Sequence, residues 1–426
     1  MKTKHNKTLL LFFLAVMMMG FALESAAQDW PVWRGVDRHG VYHEANLNLD
    51  WTTQKPPILW TYREAGSGYA SPAIVGTTLY CQGGSDGNDF AFALDTKTGN
   101  LKWKQNLGPE HTAYQNRGNS ARGSITVDGN KLYLIRADGI IHCLAAADGK
   151  MLWQKDFIKD FGGKIMSGWG FSESPLVDGN LVICTPGGSG GTMVALDKNS
   201  GEVVWRSTEW TDDAGYSSPI VVEVDGIRQY VQQSGKGFAG VAAKDGKLLW
   251  KIEVEIYRTA IIPTPVPHGN LVYVTAGYNG GCHLVRLTKS GNGCNAEVVY
   301  ANKNMVNQHG GVSLLNGYVY GFTDGMGFVC QDFTTGEIAW RERVPELLKG
   351  ATLAVNDRIL LQNERDGLIA LVAASSDGWK EYGRMEFPER TDIVTQDKMI
   401  WTHPVVSDGK LYLRDHNLLF CFDLKK

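Results

Sequence analysis

Basic charge is not in excess in this chain: 42 Lys and Arg stand against 45 Asp and Glu, a formal net charge of −3. A nucleic-acid role therefore lacks its main electrostatic driving force. Proline is scarce as well, 14 in 426 residues. There is no His-Glu-x-x-His, no phosphate-binding Gly-Lys-Ser/Thr loop and no Cys-x-x-Cys-His, and the ten histidines are scattered without metal-ligand spacing. Past residue 27 no segment is apolar for long enough to span a membrane. What the chain does hold is 50 Gly, 13 Trp, 16 Tyr and 15 Phe. That combination means many tight turns and large buried rings, and it excludes both a coiled coil and disorder.

The first 27 residues read as an address. Lys2, Lys4 and Lys7 form a positive segment, Thr8 to Leu23 is an uncharged run, and Ser25-Ala26-Ala27 offers small residues for cleavage before Gln28. A membrane anchor is the alternative, but the run is short for a bilayer span of ~20 residues. No cysteine follows it, so no lipid attachment is expected. The organisation predicted is a signal peptide at 1–27, an N-terminal extension at 28–55 and one domain at 56–426. The product is expected in the periplasm or outside the cell, as a monomer with no membrane anchor.

Repeats decide the fold. Six stretches end alike: Gly99-Asn-Leu-Lys-Trp103, Gly149-Lys-Met-Leu-Trp153, Gly201-Glu-Val-Val-Trp205, Gly246-Lys-Leu-Leu-Trp250, Gly336-Glu-Ile-Ala-Trp340 and Gly378-Trp-Lys-Glu-Tyr382. A seventh, Ala296-Glu-Val-Val-Tyr300, keeps the aromatic and loses the Gly. From Trp103 onward the aromatics are spaced 50, 52, 45, 50, 40 and 42 residues apart. Ala/Cys-x-Asp recurs at Ala93-Leu-Asp95, Ala195-Leu-Asp197, Cys330-Gln-Asp332 and Cys421-Phe-Asp423. A period of ~40–50 residues holding several short strands is that of a propeller blade.

Each unit divides into four strands. The first opens with Ser71-Pro72, Ser174-Pro175, Ser218-Pro219, Thr264-Pro265 or His403-Pro404. It closes at turns such as Asp128-Gly129, Asp225-Gly226, Asn316-Gly317 or Asp408-Gly409. Proline belongs on an edge, so these strands should be innermost, facing the channel. First strands begin near 71, 123, 174, 218, 264, 312, 352 and 403, which makes eight blades. The last lacks its fourth strand, and Ile58-Leu-Trp60-Thr-Tyr62 reads like the missing one. The expectation is an all-β, eight-bladed propeller of four-stranded antiparallel blades, closed by that N-terminal strand joining the C-terminal blade. Trp60, Trp103, Trp153, Trp205, Trp250, Tyr300, Trp340 and Tyr382 are expected to wedge between blades, each burying ~150–250 Å².

The repeated Ala-x-Asp-x-x-Thr-Gly-x-x-x-Trp unit resembles that of the pyrroloquinoline-quinone-like (quinoprotein) propellers. The opening Asp29-Trp-Pro-Val-Trp-Arg-Gly35 is similar to the start of exported bacterial members. The resemblance covers essentially the whole chain after the leader and implies an eight-bladed propeller with tryptophan docking. It leaves function open, because the family holds redox enzymes as well as non-catalytic scaffolds such as the propeller lipoprotein of the outer-membrane assembly machine. Its dehydrogenases typically carry two adjacent cysteines over the cofactor, and this chain has no such pair.

Five cysteines, Cys81, Cys143, Cys184, Cys330 and Cys421, fall where other repeats carry small or aliphatic residues, as buried free thiols do. Cys282 and Cys294 are the plausible disulfide, but the hairpin between them pairs Cys294 with a residue near Ser290. Free thiols are expected. Gly187-Gly-Ser189-Gly-Gly191 fits a nucleophile elbow in pattern only, since it lies between antiparallel strands. Asp86-Gly-Asn88-Asp89 lacks the rest of a calcium loop.

Loops entering the innermost strands surround a propeller's channel mouth. This places Tyr69, Arg122, Glu173, Tyr216, His309, Lys349, Trp401 and His403 there, with Trp169 and Arg258 slightly upstream. Such a ring suits an anionic or planar ligand, or a peptide; the alternative is that its polar groups only bind channel water. The function expected is a binding or scaffold module taking a protein or a small molecule at the mouth. The alternative is a quinone-dependent alcohol or sugar dehydrogenase using pyrroloquinoline quinone with calcium, for which Glu173 is the one evident carboxylate.

Overall fold

Where the sequence places Asp-Gly and Asn-Gly, the chain turns back on itself. Asp225, Asn316 and Asp408 hold φ of 48°, 53° and 50°, and the glycines after them stand at 80°, 81° and 65°. Two successive left-handed residues form the turn whose twist matches a hairpin. The computed structural model describes residues 29–111, 121–255, 259–394 and 399–426. Its strands assemble into eight antiparallel blades covering 73–109, 126–156, 176–206, 220–253, 266–302, 313–342, 350–385 and 405–423. Among the described residues one short helix, Phe157–Phe161, interrupts the pattern, and no helix is long and apolar enough to cross a membrane.

Two strands precede the first blade: β1 (Val41–Tyr42) and β2 (Ile58–Tyr62). β2 lies antiparallel to Leu418–Asp423, with Trp60 opposite Cys421 and Tyr62 opposite Leu419, and so completes the eighth blade. Trp60 then reaches the first blade, where its Nε1 donates to the Thr96 carbonyl at 3.0 Å. The ring is closed by strands from both ends of the described chain, which removes an open sheet edge.

Docking follows one rule at most joints. The aromatic on a blade's outer strand donates to a carbonyl in the turn of the next blade. Trp60, Trp103, Trp153, Trp205 and Tyr300 also pack over that turn's motif glycine, whereas Trp340 makes the bond without packing over Gly378. Trp103 bonds Ala146 at 3.0 Å, Trp153 bonds Lys198 at 3.1 Å, Trp205 bonds Ala243 at 3.0 Å, Trp340 bonds Ser375 at 2.8 Å, and the Tyr300 hydroxyl bonds Phe333 at 2.9 Å. The motif aspartate shapes that turn: Asp197 Oδ1 accepts from the amides of Asn199 and Ser200 at 3.0 and 2.9 Å.

Two joints depart from it. The fifth blade has lost the Asp-x-x-Thr-Gly turn, so Trp250 finds no carbonyl there. It remains in the apolar cluster between the fourth and fifth blades, and its indole donates to Gln229 of its own blade at 2.6 Å. The eighth blade also lacks the turn. Tyr382 packs on the cluster shared by the seventh and eighth blades, under the Arg358 guanidinium at 3.6 Å. Trp51, 2% exposed, fills in beside it and bonds the Tyr382 carbonyl through its backbone amide at 2.6 Å.

The residues before the inner strands stitch the blades. Ser174 Oγ accepts from the Ser124 amide at 2.8 Å, and Ser218 Oγ accepts from the Ser174 amide at 2.9 Å. Proline stands immediately before five of the eight inner strands, as an edge position requires. All seven cysteines are buried free thiols, and Cys294 lies opposite Lys289, one residue from the pairing expected.

The extension before residue 56 is the feature that repeats could not reveal. Residues 29–44 thread the channel as a strap that contacts every blade. Trp30 and Ile74 exchange backbone bonds of 2.9 and 2.8 Å, and the Pro31 carbonyl accepts from Val127 at 2.8 Å. Arg38, 3% exposed, donates to the carbonyls of Ser174, Pro175 and Pro219 at 3.1, 2.6 and 2.7 Å. Trp33 Nε1 donates to Thr264 Oγ1 at 2.9 Å, and the Arg34 guanidinium to the Val312 carbonyl. β1 lies parallel to Gly350–Val355 as a fifth strand of the seventh blade, and Glu44 accepts from the Gly409 amide at 2.8 Å. The seventh blade's inner strand has no proline, so its edge amides can pair: those of Ala354 and Asn356 donate to Gly40 and Tyr42.

Candidate functional site

Against the strap lies a cavity of about 170 Å³. Seven of the residues expected at the mouth line it: Tyr69, Arg122, Trp169, Tyr216, His309, Trp401 and His403. The strap adds Trp33, whose ring meets His403 edge-on at 4.6 Å. Trp401 is the hub of the wall, with ring centres 4.8 Å from Tyr69, 5.9 Å from Trp169 and 5.9 Å from His309. The Arg122 guanidinium carbon lies 5.7 Å from the Tyr69 ring and 5.6 Å from the Trp169 ring, within cation–π range of both.

Electrostatics set the character of this space. Burial lowers the Arg122 pKa, but a guanidinium starts so high that it stays charged. Burial, helped by the Lys349 charge, pulls His309 down to about 3. Burial and the Arg34 guanidinium hold His403 well below the usual imidazole range. Both rings are neutral at pH 7, and His403 Nε2 donates to the His309 carbonyl at 2.7 Å. No carboxylate stands among the described lining residues. Glu364 sits behind the wall, accepting from Trp401 Nε1 at 2.9 Å and lying 3.4 Å from His309 Nε2.

Three expected residues are not in the lining. Lys349 stands behind it, its Nζ donating to Gln308 Oε1. Arg258 lies outside the described residues. Glu173 is in the wall: 3% exposed, with Oε1 accepting from the Thr185 amide at 2.6 Å and Oε2 from Gln232 Nε2 at 3.3 Å. The reason is alternation. Ser172 and Ser174 line the cavity, so extended backbone turns the residue between them the other way. Trp33, Tyr278 and Gln308 line the cavity and were not anticipated. Trp33 belongs to the Asp29-Trp-Pro-Val-Trp-Arg-Gly35 run, whose density of aromatic and Arg residues outside any repeat was the available signal.

Burial pushes the Glu173 carboxyl up to about 7 from an ordinary 4.5, although bonds from Thr185 and Gln232 and the Arg38 charge oppose the rise. Between those values the folded chain binds the proton more tightly than the unfolded chain does. The stabilisation is complete below about 4.5 and lost as pH rises through about 7. Glu173→Gln removes the titration. It is expected to melt like the wild type near pH 4 and to be more stable by roughly 3 kcal/mol at pH 8. Urea unfolding across that range checks it, and an unchanging difference between the two proteins would mean the carboxyl is ionised in the fold.

Comparison with known proteins agrees with this architecture. The family model for outer membrane protein assembly factor BamB matches residues 45–155 and 92–306. The Yersinia pestis protein of that name is 27% identical over 296 residues, 66% of this chain and 69% of its own. The lanthanide-dependent methanol dehydrogenase of Methylacidiphilum fumariolicum is 28% identical over 242 residues, but the match spans 54% of this chain and only 36% of the enzyme. Among solved structures, BamB of Moraxella catarrhalis superposes with a TM-score of 0.59 at 16% identity, covering 87% of this chain and 98% of its own. The quinohemoprotein alcohol dehydrogenase of Comamonas testosteroni gives 0.61 at 14%, covering 93% and 80%. These two structural likenesses speak to the fold alone. The sequence match carries the assignment: this chain belongs to the outer membrane protein assembly factor BamB family of PQQ-like propellers.

Proposed function

We propose that this chain is an exported binding module that holds a ligand at the mouth of its channel and performs no chemistry on it. One observation carries the reading. The strap crosses the channel, and Trp33 from the strap joins rings and a guanidinium from several blades around one small space. Relatives named as assembly factors support a module that works by binding, with a protein partner as a further role for its outer surfaces. The leader-like residues 1–27 support export to the periplasm or beyond.

The enzymatic alternative asks more of this site. Pyrroloquinoline quinone is a planar tricarboxylate, and its calcium partner prefers several oxygen ligands. The described lining offers one guanidinium, two neutral imidazoles and no carboxylate, while Glu173 is engaged in the wall. Among the described residues no three His, Cys, Asp or Glu are grouped to hold a metal. The residues do not fit the cofactor and its ion.

Two measurements on the purified mature chain test the reading. Calorimetric titration with the quinone and calcium, followed by dye reduction with alcohols and sugars, is expected to show neither micromolar binding nor turnover. Both together, lost in Arg122→Ala, would make the protein an oxidoreductase. A fragment screen read by tryptophan fluorescence is expected to yield saturable binders that Trp33→Leu weakens; no binder of any kind would sink the module reading.

A further inference from the structure

We infer that the cavity takes a compact monocarboxylate carried on one six-membered ring, with the carboxylate on Arg122 and the ring against Trp33, Trp169 and Trp401. The inference rests on the binding-module reading and deepens it. Size is the first argument. At about 170 Å³ the space is well below the ~300–1,000 Å³ of pockets for drug-sized ligands, and close to a cavity of ~150 Å³ known to admit benzene. One ring with one small substituent is of that size.

Charge is the second. Arg122 is the one cation among the described lining residues, and none of those residues carries a negative charge. Behind the wall, Lys349 adds a positive charge and Glu364 a negative one, which leaves the locality net positive. A guanidinium presents parallel N–H donors that match a carboxylate, and bonds to an ionised acceptor are the strong ones. Tyr69 and Trp169 lie 5.7 and 5.6 Å from this guanidinium, so its place is restricted before a ligand arrives.

Shape is the third. Trp33 is tied to Thr264 and Trp401 to Glu364, each through its indole nitrogen, so both rings present apolar faces and edges in fixed positions. Such surfaces stack on an aromatic acid and on the C–H face of an acidic sugar alike. The shared chemistry is the ring-borne carboxylate.

The test is a set of fluorescence titrations of the mature protein with benzoate, glucuronate, benzamide, glucose and benzylamine. Benzoate or glucuronate is expected to bind saturably, and the stronger of the two identifies the source of the ring. Its neutral counterpart is expected to bind at least about tenfold more weakly, the loss of one charge-assisted contact. Benzylamine is expected not to bind. Arg122→Met should erase the preference for the acid and Arg122→Lys should restore part of it, with a cooperative melt showing that each variant is folded. If benzamide or benzylamine binds as well as benzoate, or if Arg122→Met leaves the preference intact, the ligand class is wrong while the binding site stands. If none of the five binds but other fragments do, the class again fails alone. If no fragment binds at all, the module reading fails with it.

Discussion

Deletion of residues 29–62 is expected to leave no folded monomer. The segment supplies two things that no other part of the described chain can replace. Its channel strap bonds to all eight blades, through the backbone of Trp30, Pro31, Gly40 and Tyr42 and the side chains of Trp33, Arg34, Arg38 and Glu44. Its β2 strand pairs with Leu418–Asp423 and carries Trp60 onto the first blade. Trp30, Tyr42, Trp51, Trp60 and Tyr62 are each at most 9% exposed. Burying one such ring contributes roughly 4–6 kcal/mol gross, an upper bound. Losing five exceeds a domain's whole net stability of ~5–15 kcal/mol. The deletion would also leave three carbonyls just before the inner strands without the Arg38 guanidinium and an outer strand edge open to other chains. Size-exclusion chromatography and thermal circular dichroism should show aggregate or a chain with no cooperative melt. A monomer melting cooperatively would overturn the closure. A shorter deletion of 29–44 keeps β2 and the ring, and is expected to melt lower and lose the cavity floor.

The blades were legible in the sequence because a repeated unit repeats its physics. The Gly-x-x-x-Trp spacing placed the outer strands, Ser/Thr-Pro placed the inner ones, and the missing last strand pointed to Ile58–Tyr62. The strap was not legible, since a segment that occurs once has no period and its partners are carbonyls from every blade. Arg34 and Arg38 hold left-handed backbone at φ 63° and 59°, a conformation that no propensity argument assigns to arginine. The ring of candidate residues came from counting back from each proline, which succeeds only while the loops share one length and one phase. Tyr69, Tyr216, Trp401 and His403 keep that phase. Glu173 sits one residue out of it, between Ser172 and Ser174, and faces the wall. Trp250 shows the complementary failure: its own repeat is intact, but the turn that should receive it is missing from the next blade.

Replacing Trp153 by Ala is expected to cost about 3 kcal/mol, the low end of the ~3–5 kcal/mol for emptying a fully buried aromatic site, because the ring is partly buried. The ring packs between the second and third blades, lies 6.0 Å from Tyr133 between centres, and donates to the Lys198 carbonyl at 3.1 Å. Its floor is Gly201, at φ 74°, where an added Cβ would stand 2.7 Å from the indole Cε3. Gly201→Ala therefore costs twice, through a strained backbone and through a ring forced out of its slot. The two substitutions share one contact, so their effects should not add. In Trp153→Ala the space above Gly201 is empty, and the second substitution then costs only its backbone strain. The double variant is expected to be more stable than the sum of the single losses predicts, by about 1–2 kcal/mol. Denaturant unfolding of the four proteins measures this coupling. A strictly additive result would mean that the tryptophan does not rest on that glycine. A wild-type midpoint for Trp153→Ala would mean that docking across this joint contributes nothing to the ring.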